Sequence, residues 1–117
     1  MGELRRGLKL KQIKTEMLSF SVVGNTGTPV KGGMDQNSIL SITDVGVGNY
    51  TVIFNKAYLL AVVPVGLVMI TDELIGRVTA VDVDRITIQL DDATDGTTAK
   101  DGDCYITVLG TNHRFFY

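Results

Sequence analysis

Apolar and polar residues alternate along much of the chain, and this period of two predicts half-buried β-strands. In residues 18–23, Leu18, Phe20 and Val22 fall on one face and two serines on the other. Residues 86–90 alternate in the same way. Further strands are predicted at residues 38–43, 50–54, 77–83 and 104–110. Short strands separated by turn residues predict an all-β protein, either an antiparallel sandwich or a barrel.

Residues 58–70 break this alternation, because they are apolar nearly throughout. Such a run is typical of a strand that is covered on both faces or set in a subunit interface, and both interpretations stay open. Pro64 marks a bulge or a break within the run. The run is too short to cross a bilayer, so we expect no membrane contact.

The first sixteen residues form a basic segment on a chain whose net charge is −2. Five basic and two acidic residues leave it with an excess of three positive charges. We therefore divide the chain into a basic N-terminal arm, residues 1–16, and a β-sandwich domain, residues 17–117. The arm either contacts an acidic surface or is a solvated tail. Its basic residues are Arg5, Arg6, Lys9, Lys11 and Lys14.

The conformation of the arm has two interpretations. Leu10, Ile13 and Met17 have helical spacing, whereas the segment LKLKQI alternates as an edge strand does. The arm is charged and lacks the apolar core of a signal peptide. We therefore expect a soluble protein that is made in a reducing compartment.

Two glycines, Gly46 and Gly48, form a Gly-x-Gly that could suggest a phosphate-binding loop. Such a loop must open a helix, but here the strand at residues 50–54 follows, so the motif predicts a turn. A second tight turn is predicted at Asp84 and Arg85, between two strands.

Catalytic and metal-binding side chains are scarce. Cys104 is the only cysteine, so an internal disulfide is excluded and a buried role is expected. His113 is the only histidine, and no serine or cysteine lies in a nucleophile motif. We expect no enzymatic activity and no cofactor. A hydrolase based on a pair of aspartates is the least favoured alternative.

The polar loop at residues 91–103 contains five aspartates. Clustered carboxylates can bind calcium, but the order of ligands typical of a calcium loop is missing. A solvated turn region is the favoured interpretation.

The chain ends in HRFFY, residues 113–117. Three adjacent aromatic residues are costly to leave in water, so they either fold back onto the sandwich or dock on a neighbouring chain. Docking is favoured, because aromatic residues and arginine are enriched in the cores of interfaces. The candidate contact residues are Phe115, Phe116 and Tyr117.

The segments GVGNYTVIFNKAY, VPV, VTAVDVDRITIQ and DCYITVLG, within residues 45–110, resemble small β-sandwich modules of tailed-bacteriophage virions. These modules occur as head decoration (cement) proteins and at the ends of tail appendages. Residues 1–43 have no motif that matches them. The chain is too short to include the shaft of a tail fibre, which favours a stand-alone decoration protein.

This resemblance implies an antiparallel, jelly-roll-like β-sandwich that is made in the cytoplasm of its host. It also implies a structural protein on the outer surface of a phage capsid. Its partners would be the major capsid protein and further copies of itself, as a homotrimer rather than a homodimer, with no direct contact to nucleic acid. The expected contact residues are Arg5, Arg6, Lys9, Lys11, Phe115, Phe116 and Tyr117.

The alternative is a tail spike or fibre tip module that binds a host surface glycan or attaches to the tail. Glycan binding needs an exposed aromatic side chain near polar loops. Tyr50, Tyr58 and Tyr105 are the candidates, although each lies where a strand is expected to bury it.

Overall fold

The computed structural model describes residues 10–24 and 28–116, and side chains within residues 14–24 and 28–112. Its regular structure is all β apart from a single 3-10 turn, Gln36–Ser38, which confirms the predicted fold class. The strands are β1 (Leu10–Val23), β2 (Val30–Gly32), β3 (Ile39–Gly46), β4 (Asn49–Phe54), β5 (Val63–Met69), β6 (Leu74–Val81), β7 (Arg85–Asp92) and β8 (Asp103–Phe116).

The strands form two antiparallel sheets of four. The first sheet has the order β2-β1-β8-β5 and the second the order β3-β4-β7-β6. The strand pairs are nested, since β1 joins β8 at the centre of one sheet and β4 joins β7 at the centre of the other. Two antiparallel sheets of four strands that pack against each other form a β-sandwich.

The core lies between the sheets and consists of the inward residues of each alternating strand. Phe20, Val52 and Ile88 are fully buried. Phe20 and Phe54 meet edge to face across the two sheets, with ring centroids 5.9 Å apart. Each such side chain contributes roughly 1.5–3 kcal/mol on burial, so alternation along the strands drives the folding of the sandwich.

The Gly-x-Gly is a hairpin turn, as predicted. Gly46 pairs with Asn49, and Gly48 has a φ of 66°. The other predicted turn also exists but is longer than two residues. The N–H of Asp82 donates to the carbonyl of Arg85 at 2.9 Å, and β7 already begins at Arg85.

The apolar run at residues 58–70 is not one strand. Tyr58 and Val62 are buried ahead of β5, and β5 itself begins only at Val63. Within this chain the expectation of a strand covered on both faces is wrong, because β5 is an edge strand with several exposed residues. The register of β5 against β8 shifts between Pro64 and Gly66, so the proline lies at a bulge.

Strands β1 and β8 pair over fourteen residues each, from Leu10 with Phe116 to Val23 with Asp103. Strand β5 accompanies β8 only as far as Leu109. Residues 10–16 and 110–116 therefore continue as a two-stranded ribbon, which we call the β-ribbon, and the molecule measures 62 by 22 by 21 Å. The strand interpretation of the arm is correct for residues 10–16. The division at residue 16 stays a prediction, since residues 1–9 lie outside the described residues.

Candidate interaction surfaces

The residues expected to make contacts are grouped around the β-ribbon where the structure describes them. Lys11 is paired through its backbone with Phe115, and Leu10 with Phe116. Residues 10–16 of the arm and residues 110–116, which lie far apart in sequence, thus lie on neighbouring strands. The side chains of these ribbon residues lie outside the described part of the structure, as do Arg5, Arg6, Lys9 and Tyr117 entirely.

Three side chains hold the base of the β-ribbon on the sandwich. The Glu16 carboxylate accepts hydrogen bonds from Lys56 Nζ at 2.5 Å and from the Tyr58 hydroxyl at 3.3 Å. The pairing with Lys56 lowers the pKa of Glu16 below its usual value. Burial, with a smaller contribution from Glu16, raises the pKa of Tyr58 to about 12, so the phenol stays a hydrogen-bond donor. The β-ribbon therefore leaves the sandwich at a fixed point.

The outer surface of the first sheet is uncharged over three cross-strand rows. The first row is Met17, Leu109 and Val63, the middle row is Ser19, Thr107 and Gly66, and the third row is Ser21, Tyr105 and Val68. We call these nine residues the uncharged face. Met17, Tyr105 and Val68 are 63%, 51% and 64% exposed. Large apolar side chains thus flank a middle row of small residues.

The outer surface of the second sheet is polar by comparison. Thr43, Thr51 and Thr87 form a row across β3, β4 and β7, and the hydroxyls of Thr51 and Thr87 lie 3.1 Å apart. Next to this row, the exposed Arg77 forms an ion pair with the buried carboxylate of Asp91. This surface is typical of a sheet that faces water.

The outer edge of β5 carries no neighbouring strand among the described residues. The N–H of Ile70 donates to the carbonyl of Asp103 at 3.2 Å, which fixes the phase of the ladder between β5 and β8. Because paired and unpaired positions alternate in an antiparallel ladder, the backbone groups of Leu67 and Met69 point to the free edge. An edge of this kind can accept another strand.

The aspartates of the loop at residues 91–103 bind other groups of the protein. Asp95 accepts hydrogen bonds from the N–H groups of Thr97 and Thr98, both at 2.9 Å, and from the Thr98 hydroxyl. These bonds lower the pKa of Asp95 to about 2. Asp101 accepts from the N–H of Gly48 at 2.7 Å and from the Tyr50 hydroxyl at 2.9 Å.

The favoured interpretation of this loop as a solvated turn needs one correction, because Asp91 is buried against Arg77. Within the described residues, no three histidine, cysteine or acidic side chains are grouped so that they could hold a metal ion.

A surface cleft of about 490 Å³ lies beside the loop. Lys100 Nζ and Glu73 form an ion pair of 3.3 Å there, and the pKa of Asp92 is lowered by hydrogen bonds from Thr94. A carboxyl that acts as a general acid needs a raised pKa, so Asp92 is not suited to that role. The cleft is lined by Asp72, Glu73, Asp92, Ala93, Thr94 and Lys100.

The tyrosines and the cysteine differ in exposure. Tyr50 and Tyr58 are buried, as the pattern predicted, but Tyr105 is half exposed and the expectation of burial was wrong for it. The sequence held the signal, since Cys104 and Ile106 on either side of Tyr105 both point inward. Cys104 is fully buried, as expected, and burial raises the pKa of its thiol to about 12. Such a thiol is unreactive at neutral pH.

No protein-family model, no curated protein and no solved structure matches this chain. The described part of the chain contains no helix with the length and hydropathy needed to span a bilayer. The structure itself shows the fold, an all-β sandwich of two four-stranded sheets.

Proposed function

We propose that this protein is a structural virion protein, a decoration or cement protein that binds the outside of a phage head as a homo-oligomer. The major capsid protein is its proposed partner, the capsid surface its location, and a homotrimer its preferred assembly. No reaction and no cofactor are part of the proposal.

The observation that carries the proposal is the β-ribbon. One element that extends from the sandwich pairs the backbone of Lys11 with that of Phe115, so one basic and one aromatic contact candidate lie side by side. An isolated two-stranded ribbon is only marginally stable in water. Contact with a second surface would therefore stabilise it, as expected of an element that clamps a neighbouring subunit.

Oligomerisation would strengthen such binding without any new type of contact. Once one arm of an oligomer is bound, the others bind as intramolecular events at high effective concentration. A protein that binds only the assembled shell stabilises that shell by mass action. These two effects explain how short arms could hold a capsid lattice together.

The copy number of the protein in purified particles of the phage that encodes it tests the proposal. Quantitative mass spectrometry against the major shell protein should give one copy per shell subunit or a simple fraction of that ratio. A few copies per particle would place the protein in the tail instead. Complete absence from the particle would overturn every virion function.

A truncation tests the role of the β-ribbon. Removing residues 1–13 and 113–117 leaves Glu16 with its partners Lys56 and Tyr58, so the sandwich should keep its circular dichroism spectrum. We expect this variant to lose attachment to heads that lack the protein, measured by co-sedimentation. Full occupancy by the truncated protein would show that the β-ribbon is not the attachment element.

A tail spike or fibre tip module is the second candidate, and the exposure of Tyr105 favours it. An exposed tyrosine on an uncharged sheet surface could stack on a sugar ring. A glycan array probed with the purified protein and with Tyr105→Ala should then give hits that the variant loses. An array without hits, together with a high copy number, would reject this candidate.

A further inference from the structure

We propose that the uncharged face binds another copy of this chain, so that β1, β8 and β5 form the interface of the homo-oligomer. This inference rests on the oligomeric part of the proposed function and names the surface that builds the oligomer.

The composition of the uncharged face is that of an interface core. Met17, Tyr105 and Val68 are each more than half exposed, although water disfavours large apolar side chains on a flat sheet. Methionine and tyrosine are enriched in interfaces, and charged residues are depleted from their cores. The second sheet also has exposed apolar residues, such as Leu40 and Ile75, but its outer surface carries charged side chains as well. The uncharged face thus differs from the outer surface of the second sheet in its lack of charge.

The absence of charge points to a second copy as the occupant. Contact between copies brings the same surface region together more than once, so any net charge in it would repel its counterpart. None of the nine residues of the uncharged face is charged, and neither is any residue from 57 to 71. The face has a charged border at β1, where the Asp35 carboxylate accepts a hydrogen bond from the N–H of Ser19 at 2.7 Å. Residues 1–9, which lie outside the described structure, contain four charged residues and are therefore an unsuitable cover.

The relief of the face also suits self-association. Large side chains stand in the row of Met17 and in the row of Val68, while Ser19, Thr107 and Gly66 leave a lower row between them. The hydroxyls of Ser19 and Thr107 lie 3.0 Å apart and so satisfy each other. A high row of one copy can therefore pack into the low row of another without burying an unpaired hydroxyl.

The size of the surface sets how far the contact must extend. Three strands of about six residues cover roughly 300 Å² in the plane of the sheet. A stable interface buries about 800 Å² on each partner. The contact must therefore include the exposed apolar residues that border the face on and before β5. These residues are Leu59, Leu60, Val65 and Ile70.

The mass of the purified full-length chain in solution tests the inference, without any phage particle. Native mass spectrometry and sedimentation at micromolar concentration should give two or three chains for the wild type. Val68→Lys should reduce this to a single chain while the β-sheet circular dichroism signal is kept. The matched control is Val45→Lys, because Val45 is 57% exposed on β3 of the second sheet, and this variant should keep the wild-type mass.

Tyr105→Lys on β8 gives the same test with a second strand, in case Val68→Lys fails to fold. A wild-type chain that is monomeric throughout the micromolar range would overturn the inference, as would lysine variants that keep the wild-type mass. Dissociation by Val45→Lys alone would place the interface on the second sheet. A monomer in solution would leave the copy number in virions to decide capsid binding separately.

Discussion

At the scale of single residues, Gly48 joins three parts of the fold. Its φ of 66° reverses the chain between β3 and β4, and its N–H donates to Asp101. The same carboxylate accepts from the buried hydroxyl of Tyr50. Burial is the main cause that raises the pKa of Tyr50, so the phenol remains a donor at every physiological pH. One glycine thus couples the turn, the core and the loop that precedes β8.

Replacing Gly48 by alanine should destabilise the protein by about 3 kcal/mol. The added Cβ would lie closer than 3.0 Å to the carbonyl oxygens of Leu90 and Lys100, and alanine is strained at this φ. Urea unfolding followed by circular dichroism measures the change in the free energy of unfolding.

Gly46→Ala in the same hairpin is the matched control, since nothing lies within 4 Å of a Cβ at that position. It should change the stability by less than about 0.5 kcal/mol. Equal effects of the two substitutions would show that the close packing at Gly48 is unimportant.

At the scale of elements, the acidic loop links β7 to β8 through its own hydrogen bonds. Asp92 accepts from the N–H of Thr94 at 2.9 Å, and Asp95 binds Thr97 and Thr98. The N–H of Lys100 donates to the carbonyl of Leu90 at 3.1 Å, which returns the chain to the sheet. The carboxylates are therefore structural groups, and their protonation should loosen the loop.

The loop makes stability depend on acid pH in a defined direction. The pKa of Asp95 is depressed from 3.8 to about 2 in the folded protein, so the unfolded chain binds its proton first. The stability that this carboxylate contributes is complete above pH 4 and is lost as the pH falls towards 2. The midpoint of urea unfolding should fall over this window.

Asp95→Asn provides the comparison for this pH dependence, because the amide keeps an acceptor oxygen but does not titrate in this range. The variant should show a smaller decrease of the urea midpoint between pH 4 and pH 2 than the wild type. Identical slopes would mean that other carboxylates, such as Glu16 at the base of the β-ribbon, cause the acid sensitivity.

At the scale of the whole molecule, charge and apolar surface are placed on different parts of the same strands, β1 and β8. The positive charge of the arm belongs to residues 1–16, ahead of and within the β-ribbon, whereas the uncharged face lies on the sandwich. This separation is consistent with two binding roles. The sandwich would bind other copies of the chain, and the β-ribbon would bind the capsid. The two functions should therefore be separable by substitution.

Replacing Arg5, Arg6, Lys9 and Lys11 by glutamine should weaken binding to capsids and leave the mass of the oligomer unchanged. Because surface charges are screened by salt, the wild type should bind less well as the salt concentration rises, and the variant should respond less. Co-sedimentation with capsids at several salt concentrations measures both effects. Lys100→Gln, in the loop before β8, is the control and should bind as the wild type does. A variant that keeps the wild-type salt dependence would contradict a role of the basic residues.

Much of the fold could be predicted from local patterns. A strand exposes alternate side chains to opposite faces, so the positions of Phe20 or Ile88 in the core follow from sequence alone. The turn at Gly48 follows because a strand, and not a helix, comes after it. Tyr105 could have been assigned to the outer surface by the same alternation, but an aromatic residue in a strand suggests burial.

What the sequence determined by itself was the all-β class, the inward residues of the strands, the hairpin turn at Gly48 and the position, but not the length, of the turn before β7, because these depend on neighbours within a few positions. The tertiary structure alone decided that β5 is an edge strand, that the arm pairs with the aromatic C-terminal segment, and that three strands share an uncharged face. Pairing between residues about one hundred positions apart leaves no periodic trace in either segment. The order of the strands in each sheet depends on how all of the strands bury their apolar faces together, so it can be seen only in the folded structure.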